Sequence, residues 1–256
     1  MNLANGKKIY FASDFHLGVP NYESSRKRED LICSWLKQIK PTCQELFLVG
    51  DVFDFWFEYK EAVPKGFVRL QGAIADFTDS GIPVNFFIGN HDMWIFEYFE
   101  KELGVKMHRK PIDITINSKR FFIGHGDGLG PGDNGYKFIK KVFANRLCQW
   151  AFARLHPNFG LGLGNYWSGK SRHATGTSDE IYNGNDKEFL VVFCNDMIEK
   201  TYFDYFIFGH RHLVLDIMLK NQQSKYYNLG DWLKYNTYGE FDGNNFAIKT
   251  FNKGKY

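Results

Sequence analysis

Five short apolar segments of this chain each end directly at a polar cluster of aspartate, asparagine or histidine. The segments and the clusters are residues 9–12 before Asp14 and His16, 46–49 before Asp51, 84–88 before Asn90, His91 and Asp92, 121–123 before His125, and 205–208 before His210 and His212. A short apolar run bounded by polar residues is typical of a buried β-strand. Because ligand sites of open α/β sheets lie beyond the carboxyl ends of the strands, we expect the five clusters to meet at one sheet edge.

Helical patterns separate these strands in the first half of the chain. Apolar residues recur at helical spacing in residues 26–40 and 66–80, and residues 92–103 are predicted to be a helix with its cap near Asp92. Residues 112–123 have the pattern of a β-hairpin. Alternation of strands and helices favours an α/β fold with a layered core.

Residues 135–200 interrupt this alternation, and we interpret them as a helical insertion over the edge of the sheet. The pattern predicts a long helix over 136–155, a glycine-rich apolar loop over 158–167, a basic patch over 168–173 and a helix over 187–200. The strand pattern resumes at residue 205, followed by a hairpin over 214–229 and a last strand within 243–251. We therefore predict a single domain over residues 1–256 that carries this insertion.

Bulk properties exclude several other classes of protein. The net charge of +3 is too small to indicate a nucleic-acid-binding protein by itself. The first eight residues lack the pattern of a signal peptide, and no segment approaches the roughly 20 apolar residues of a membrane span. The four cysteines lack metal-finger or redox-pair spacing, which is typical of free thiols in a reducing compartment. We expect a cytoplasmic protein, and no nucleic-acid or protein partner is indicated.

The residue types in the five clusters are typical of a metal centre. The candidate ligands are Asp14, His16, Asp51, Asn90, His125, His210 and His212. Carboxylate, amide and imidazole ligands suit divalent ions, with Mn²⁺ expected and Zn²⁺ or Fe²⁺ as alternatives. Seven ligands exceed the needs of one tetrahedral ion, so we predict two ions that share a bridging carboxylate, that of Asp51. Such a pair can hold a hydroxide that attacks a phosphoryl group.

His91 and Asp92 are the candidate catalytic residues beside these ligands. A histidine next to the ligand Asn90 can protonate the leaving oxygen, and we expect Asp92 to orient its ring. Asp54 is predicted to accept a hydrogen bond from a ligand histidine, which would fix the tautomer of that ring.

The same residues resemble the five motifs of the calcineurin-like metallophosphoesterases, in order and spacing, over about residues 9–212. The motifs are Asp14-x-His16, Gly50-Asp51-x-x-Asp54, Gly89-Asn90-His91-Asp92, Gly124-His125 and Gly209-His210-x-His212. The resemblance implies a four-layer sandwich of two mixed β-sheets flanked by helices, with a helical cap formed by the insertion.

Within that superfamily the chain resembles the UDP-2,3-diacylglucosamine pyrophosphatases of lipid A synthesis. This resemblance rests on residues 13–18, 50–56 and 125–129, with Asp133 and Tyr136 downstream. It implies hydrolysis of a nucleotide–lipid pyrophosphate to UMP and 2,3-diacylglucosamine 1-phosphate, with the acyl chains held by the insertion. The implied substrate-binding residues are Asn90, His91, Asp133, Tyr136, Ser168, Lys170, Arg172 and His210. The enterobacterial type has arginine where this chain has His91.

Alternative interpretations remain open at this stage. The chain could be a phosphodiesterase or phosphatase for a small soluble substrate, or a metal-binding scaffold that does not catalyse. The aromatic residues of 136–167 could form the internal packing of the insertion or an acyl-chain groove. A groove rimmed with lysine and arginine suits contact with inner-membrane lipid on the cytoplasmic face, whereas charged runs are more often simply solvated.

Overall fold

Two mixed β-sheets form the centre of the computed structural model, which describes residues 1–132, 134–175 and 181–252, without the side chains of 171–175. The strands of the first sheet are β1 (Lys8–Ala12), β2 (Cys43–Val49), β3 (Val84–Phe87), β4 (Lys106–His108), β10 (Thr237–Phe241) and β11 (Phe246–Thr250). Those of the second sheet are β5 (Ile112–Ile116), β6 (Lys119–Ile123), β7 (Tyr205–Phe208), β8 (Val214–Met218) and β9 (Lys225–Leu229).

Each sheet has a set of parallel strands, extended by antiparallel pairs at one edge of the first sheet and at both edges of the second. The first sheet has the order β11-β10-β1-β2-β3-β4, in which β1 to β4 run parallel and β10 and β11 are antiparallel additions. The second sheet has the order β5-β6-β7-β9-β8, with β6, β7 and β9 parallel. All five strands that precede the polar clusters therefore belong to the parallel parts of the two sheets.

Helices cover the outer faces of both sheets. The helices in chain order are α1 (Tyr22–Ile39), α2 (Val68–Asp79), α3 (Tyr98–Leu103), α4 (Asn134–Phe143), α5 (Arg146–Phe152), α6 (Pro157–Thr175) and α7 (Phe189–Ile198). Apolar residues of α1, α2 and α3 pack on the first sheet, and those of α7 pack on the second. The predicted α/β sandwich of four layers is confirmed.

The core between the two sheets follows from the two-residue period of the strands. In β1, Ile9 and Phe11 belong to the cluster between the sheets, whereas Tyr10 and Ala12 belong to the cluster under the helices. Phe11 stacks on Phe47 of the same sheet and lies 6.2 Å from Phe121 of the second sheet, measured between ring centroids. Every side chain of β1 after Lys8 is therefore buried, which accounts for its unbroken apolar sequence.

The glycine-rich segment that we predicted to be a loop is part of helix α6. A Cβ atom at Gly160 would lie 2.2 Å from the hydroxyl oxygen of Tyr59, and one at Gly164 would lie 2.1 Å from the ring of Phe55. These glycines are four residues apart and face the same aromatic loop, because residues at i and i+4 share one face of a helix. The glycines permit close packing of the helix, so the prediction of a loop was wrong.

The long helix predicted over 136–155 is divided into α4 and α5. Asn145 has an extended backbone, and its side chain accepts hydrogen bonds from the N–H groups of Leu147 and Cys148. This residue is a regular N-cap, which begins a new helix instead of continuing the old one.

The helix predicted to begin near Asp92 begins only at Tyr98. The carboxylate of Glu58, from a distant loop, accepts hydrogen bonds from the N–H groups of Phe96, Glu97 and Tyr98 and so caps α3. Sequence periodicity does not show such a cap, because Glu58 lies about forty residues before the helix.

Helix α7 belongs to the sandwich, although we predicted it as part of the insertion. Leu190, Val191 and Cys194 of α7 pack against Phe206 and Phe208 of β7. We use the term cap for residues 134–175, which form α4, α5 and α6.

The sequence analysis did not identify β4 and β10. Strand β4 has only three residues. The turn between β10 and β11 begins with Asp242, whose side chain accepts hydrogen bonds from the N–H groups of Asn244 and Asn245. An aspartate followed by glycine and asparagine is typical of such a turn, and this pattern could have identified β10.

We predict that Phe11→Ala lowers the free energy of unfolding by about 3–5 kcal/mol, because Phe11 is fully buried between the sheets. Phe138→Ala, at a cap position whose side chain is 67% exposed, is the matched control and should change it by less than about 0.5 kcal/mol. Urea denaturation of both variants provides the measurement. Equal effects would contradict the assignment of the main core.

Candidate metal centre

The carboxyl ends of β1, β2 and β3 in the first sheet and of β6 and β7 in the second sheet open at one edge of the sandwich. The structure brings together there the side chains of all seven predicted ligands: Asp14, His16, Asp51, Asn90, His125, His210 and His212. Parallel strands of both sheets point the same way, so the loops that follow them face one another.

Asp14, His16 and His212 form the first group of ligand atoms. The Nε2 atoms of His16 and His212 lie 3.1 Å apart. Both also lie near Oδ1 of Asp14, at 3.7 Å for His16 and 3.4 Å for His212. Convergence of two imidazole nitrogens on one carboxylate oxygen is an arrangement that a divalent cation can occupy.

Asn90, His125 and His210 form a second group. The Oδ1 atom of Asn90 lies 3.1 Å from Nε2 of His125 and 2.9 Å from Nδ1 of His210. The other ring nitrogen of His125, Nδ1, lies 2.8 Å from the carbonyl oxygen of Val49. A carbonyl only accepts hydrogen bonds, so Nδ1 carries a proton, and Nε2 is the nitrogen that can coordinate an ion when it is deprotonated.

Asp51 lies between the two groups. Its Oδ2 atom is 3.8 Å from Nε2 of His16 in the first group and 3.2 Å from Nε2 of His125 in the second. Its Oδ1 atom accepts a hydrogen bond of 2.8 Å from the N–H group of His91, which fixes the plane of the carboxylate. This geometry supports the prediction that Asp51 bridges two ions.

The backbone of these loops is in conformations that most residues avoid. Asp14, His16, Asp51, His210 and His212 all have positive φ, between 43° and 71°. Left-handed backbone costs a non-glycine residue about 1 kcal/mol or more and persists only where the surrounding contacts impose it. Five such residues at one sheet edge are typical of a functional site.

Two glycines allow the loops to approach each other closely. A Cβ atom at Gly89 would lie 2.2 Å from Oδ1 of Asp51, and one at Gly209 would lie 2.4 Å from Oδ2 of Asp14. The N–H group of the next residue, His210, donates to the carboxylate of Asp14. Each glycine thus lets a ligand loop pack directly against a ligand carboxylate.

The ionisable groups of the centre shift one another's pKa values strongly. Burial alone would raise the pKa of Asp51, but His125, His91 and His16 outweigh burial and hold it well below its usual value. Burial alone would lower the pKa of His125, but the neighbouring Asp51 raises it to about 10. A cation bound between these residues would replace that proton, because metal ligands must be deprotonated.

Two further histidines of the centre, His91 and His210, have pKa values below the usual value for histidine. Burial lowers the pKa of His91 to about 4, and burial together with His125 lowers that of His210 to about 4. Neutral imidazoles and ionised carboxylates are the states that bind divalent ions, so this set of donors fits a pair of such ions.

The ring of His91 is held by Asp54 and Ser168. Its Nδ1 atom lies 3.0 Å from the carbonyl oxygen of Asp54 and 2.9 Å from Oγ of Ser168. The Ser168 hydroxyl donates to Oδ2 of Asp54 at 2.6 Å. The Oδ1 atom of Asp54 lies 3.4 Å from Nδ1 of His16, which supports the expected role of Asp54 behind a ligand histidine.

Asp92 has a different position from the one we predicted. Its Oδ1 atom accepts from the N–H group of Gly89, and its Oδ2 atom accepts from the N–H groups of Val52 and Phe53. Asp92 therefore joins the loops after β2 and β3, and the ring of His91 is oriented by Asp54 and Ser168 instead. Burial and the nearby Asp51 raise the pKa of Asp92 to about 7.

Asp231 is a residue of the site that the sequence analysis missed. Its buried Oδ2 atom lies 3.6 Å from Nδ1 of His212, on the side of the ring away from Asp14. Its Oδ1 atom accepts from the N–H groups of Leu233 and Lys234 in the following turn. Asp231 follows the strand–glycine pair Leu229–Gly230 as Asp51 follows Val49–Gly50, and this repeated pattern could have identified it.

An apolar cavity of about 500 Å³ extends from the centre to the cap. Asp54, Asn90 and His91 line it on the side of the sandwich. The cap side is formed by aromatic and aliphatic residues of α4 and α6, which include Tyr136, Phe138, Ile139, Val142, Phe143 and Trp167. We call this space the apolar cavity.

The predicted substrate-binding residues have different positions relative to this cavity. Tyr136 and Ser168 line it together with Asn90 and His91, and the ring of Tyr136 lies 6.4 Å from that of His210. Lys170 is exposed on α6, outside the residues that line the cavity, so its role stays a prediction. Asp133 and the side chain of Arg172 lie outside the described parts of the structure.

Asp127 attaches the cap to the metal loops. The hydroxyl of Tyr136 donates to Oδ2 of Asp127 at 2.6 Å, and the ammonium group of Lys140 forms an ion pair with the same oxygen. Burial alone would raise the pKa of Asp127, but His125 and Lys140 outweigh burial and lower it. The carboxylate is therefore ionised and fixes α4 next to His125.

Comparison with known proteins gives a consistent result. A family model described as calcineurin-like phosphoesterase matches residues 7–214. A protein of Porphyromonas gingivalis named UDP-2,3-diacylglucosamine hydrolase is 33% identical over 95% of this chain and 97% of that protein. Proteins with the same name from Histophilus somni (27% identical, 80% of this chain and 84% of that protein) and Haemophilus influenzae (26%, 89% and 92%) are also similar.

We predict that Asp231→Asn lowers the affinity for the ion near His212 about 10- to 100-fold, because the carboxylate that faces its ring is lost. The substitution keeps an Oδ1 acceptor for the turn. Asp216→Asn, at an exposed residue of β8 that pairs with Lys225, is the matched control. Titration of chelator-treated protein with Mn²⁺ gives both affinities, and an unchanged affinity in Asp231→Asn would contradict this role.

Proposed function

The chain belongs to the calcineurin-like phosphoesterase family, and on that premise we propose that it hydrolyses the pyrophosphate bond of UDP-2,3-diacylglucosamine. The products would be UMP and 2,3-diacylglucosamine 1-phosphate. The similarity of nearly the whole chain to proteins named UDP-2,3-diacylglucosamine hydrolase supports this substrate.

The observation that carries the proposal is the contact between the apolar cavity and the candidate metal centre. Asn90 and His91 belong to the centre and also line the cavity, so an apolar group in the cavity would lie beside the reacting phosphates. A volume of about 500 Å³ enclosed by aromatic side chains suits acyl chains. A small soluble phosphate ester would leave this cavity unused, which disfavours the alternative phosphodiesterase or phosphatase.

The metal ligands are proposed to be the seven side chains that converge at the sheet edge. Calcineurin-like phosphoesterases are dinuclear metal enzymes, and the mixed oxygen and nitrogen donors here suit divalent ions, for which we propose Mn²⁺, with Zn²⁺ or Fe²⁺ as alternatives. When bound, two such ions supply an activated water and neutralise the phosphoryl oxygens. A scaffold that does not catalyse would not need to keep all seven ligands, which argues against that alternative.

His91 is proposed to transfer a proton to the leaving oxygen. The carbonyl of Asp54 can only accept, so Nδ1 of His91 is the donor to it, and Nε2 of the neutral ring carries no proton. Nε2 must therefore take up a proton, which the negative charge of bound phosphates would favour, before it gives that proton to the leaving oxygen. Ser168 and Asp54 hold the ring in this orientation, and Asp92 acts on the loop backbone. Asn90, His210 and Tyr136 surround the same space and are proposed to contact the substrate.

We further propose that the cap contacts the surface of the inner membrane from its cytoplasmic side. Several of its large apolar side chains are more than half exposed: Phe138, Leu147, Trp150, Phe159 and Tyr166. Lys141, Arg146 and Lys170 are exposed among them. Apolar residues mixed with cations are typical of contact with anionic lipid. In the described parts of the chain, every helix is too short or too polar to cross a bilayer.

We predict that the Mn²⁺-loaded protein releases UMP from UDP-2,3-diacylglucosamine and that His125→Ala lowers kcat by about 10³-fold or more. His156→Ala, at an exposed histidine of the cap, is the matched control and should keep full activity. Circular dichroism checks that each variant is folded. Absence of UMP, with turnover of a simple phosphodiester, would refute the substrate, and activity in His125→Ala would refute the ligand assignment.

We predict that Trp150→Glu reduces binding to vesicles that contain anionic phosphatidylglycerol about tenfold, because it removes an exposed apolar side chain from the cap. Tyr22→Glu, at a residue of α1 that is 81% exposed, is the control and should bind like the original protein. Co-sedimentation with vesicles measures both. Equal binding of the two variants, or no binding of the original protein, would overturn the membrane contact.

A further inference from the structure

A second cavity, of about 300 Å³, lies beside the candidate metal centre. It is located between the carboxyl ends of β3 and β4 in the first sheet and of β6 in the second. Its lining includes Gly89, His108, Lys110, Pro111, His125 and Lys140. We call this space the basic cavity, because cationic side chains predominate among its charged groups.

The two cavities flank the loop after β3. Gly89 lines the basic cavity, the next two residues Asn90 and His91 line the apolar cavity, and Met93 lines both. Helix α4 also contributes to both, with Lys140 in the basic cavity and Tyr136 in the apolar one. The metal centre therefore has a separate space on each side of one of its ligand loops.

The charges of the basic cavity favour an anion. Arg109, Lys110 and Lys140 line it, and Asp127 is its one acidic residue in the described part of the chain. Asp127 is already engaged by Lys140 and by the Tyr136 hydroxyl. The Arg109 guanidinium donates to the carbonyls of Ile95 and Phe96. Lys110 is exposed at the cavity, so its ammonium group is the cation most accessible to an entering anion.

The walls of the basic cavity are flat and partly aromatic. The ring of His108 stacks on that of Phe87 at 4.6 Å between centroids, with 26° between the ring planes. His108 is also fixed by a contact of 2.8 Å between its Nε2 atom and Oδ1 of Asn85. Pro111 adds a rigid wall on the side of Gly124, where a Cβ atom would lie 2.9 Å from its ring. Flat, rigid walls suit a planar heterocycle.

We propose that the basic cavity binds the nucleoside monophosphate half of the substrate, an inference that rests on the proposed function. A nucleotide–lipid pyrophosphate has its reacting phosphates in the middle, and its two ends differ in chemistry. With the acyl chains in the apolar cavity and the phosphates at the metal centre, the nucleoside extends to the other side of the Gly89–His91 loop. A planar base with an anionic phosphate matches the flat walls and the cations there.

The test measures product inhibition of the full-length Mn²⁺-loaded protein. Lys110→Glu should raise the inhibition constant of UMP about fivefold, because it reverses a charge that faces the nucleotide. The inhibition constant of 2,3-diacylglucosamine 1-phosphate and that of inorganic phosphate should change less than about twofold, since these ligands do not need the basic cavity. Lys106→Glu, at an exposed lysine four residues earlier in the chain and outside the cavity lining, is the matched control and should leave all three unchanged.

The outcomes separate this inference from the proposed function. Turnover of UDP-2,3-diacylglucosamine with an unchanged UMP constant in Lys110→Glu would overturn the nucleotide site and leave the function intact. Equal weakening of UMP and of the lipid product would also overturn it, because it would indicate a general charge effect. Absence of turnover in the original protein would refute the proposed function and this occupant with it.

Discussion

The position of the Asp51 carboxylate between two groups of histidines is the constraint on which the site depends. One oxygen is held by the N–H group of His91, and the other lies close to His16 on one side and His125 on the other. His16 follows a strand of the first sheet and His125 follows a strand of the second. The carboxylate can have both neighbours only if the two sheets stack with their parallel strands pointing the same way. The packing of the whole sandwich thus sets the distances in the centre.

The cost of this arrangement appears in the loops. Five ligand residues have left-handed backbone, and two ligand loops contain glycines at which any Cβ atom would overlap a ligand carboxylate. Hydrogen bonds from loop to loop stabilise these conformations, for example those from the N–H groups of Gly89 and Val52 to Asp92. Asp92 directly follows the ligand Asn90 and the candidate catalytic residue His91, yet its carboxylate binds loop N–H groups, so its role differs from the prediction.

Much of the fold and of the centre could be predicted from the sequence, because strand ends and ligand residues are local signals. Short apolar runs predicted the strands before Asp14, Asp51 and His125, and shared strand direction predicted that the polar clusters meet. The errors came from contacts between distant segments. The glycine-rich stretch is a helix because Gly160 and Gly164 pack on Tyr59 and Phe55, and α3 begins late because Glu58 caps it. Such partners cannot be recognised from periodicity alone.

The cap is tied to the sandwich at three of the metal loops. On α6, Ser168 contacts Asp54 and His91 in the loops after β2 and β3, whereas Tyr136 and Lys140 on α4 contact Asp127 in the loop after β6. These loops belong to different sheets, so the cap spans the space between the sheets directly above the ligands. A shift of α4 would change the apolar cavity, the basic cavity and the surroundings of His125 together. The shape of the two cavities and the positions of the metal ligands therefore depend on the same cap contacts.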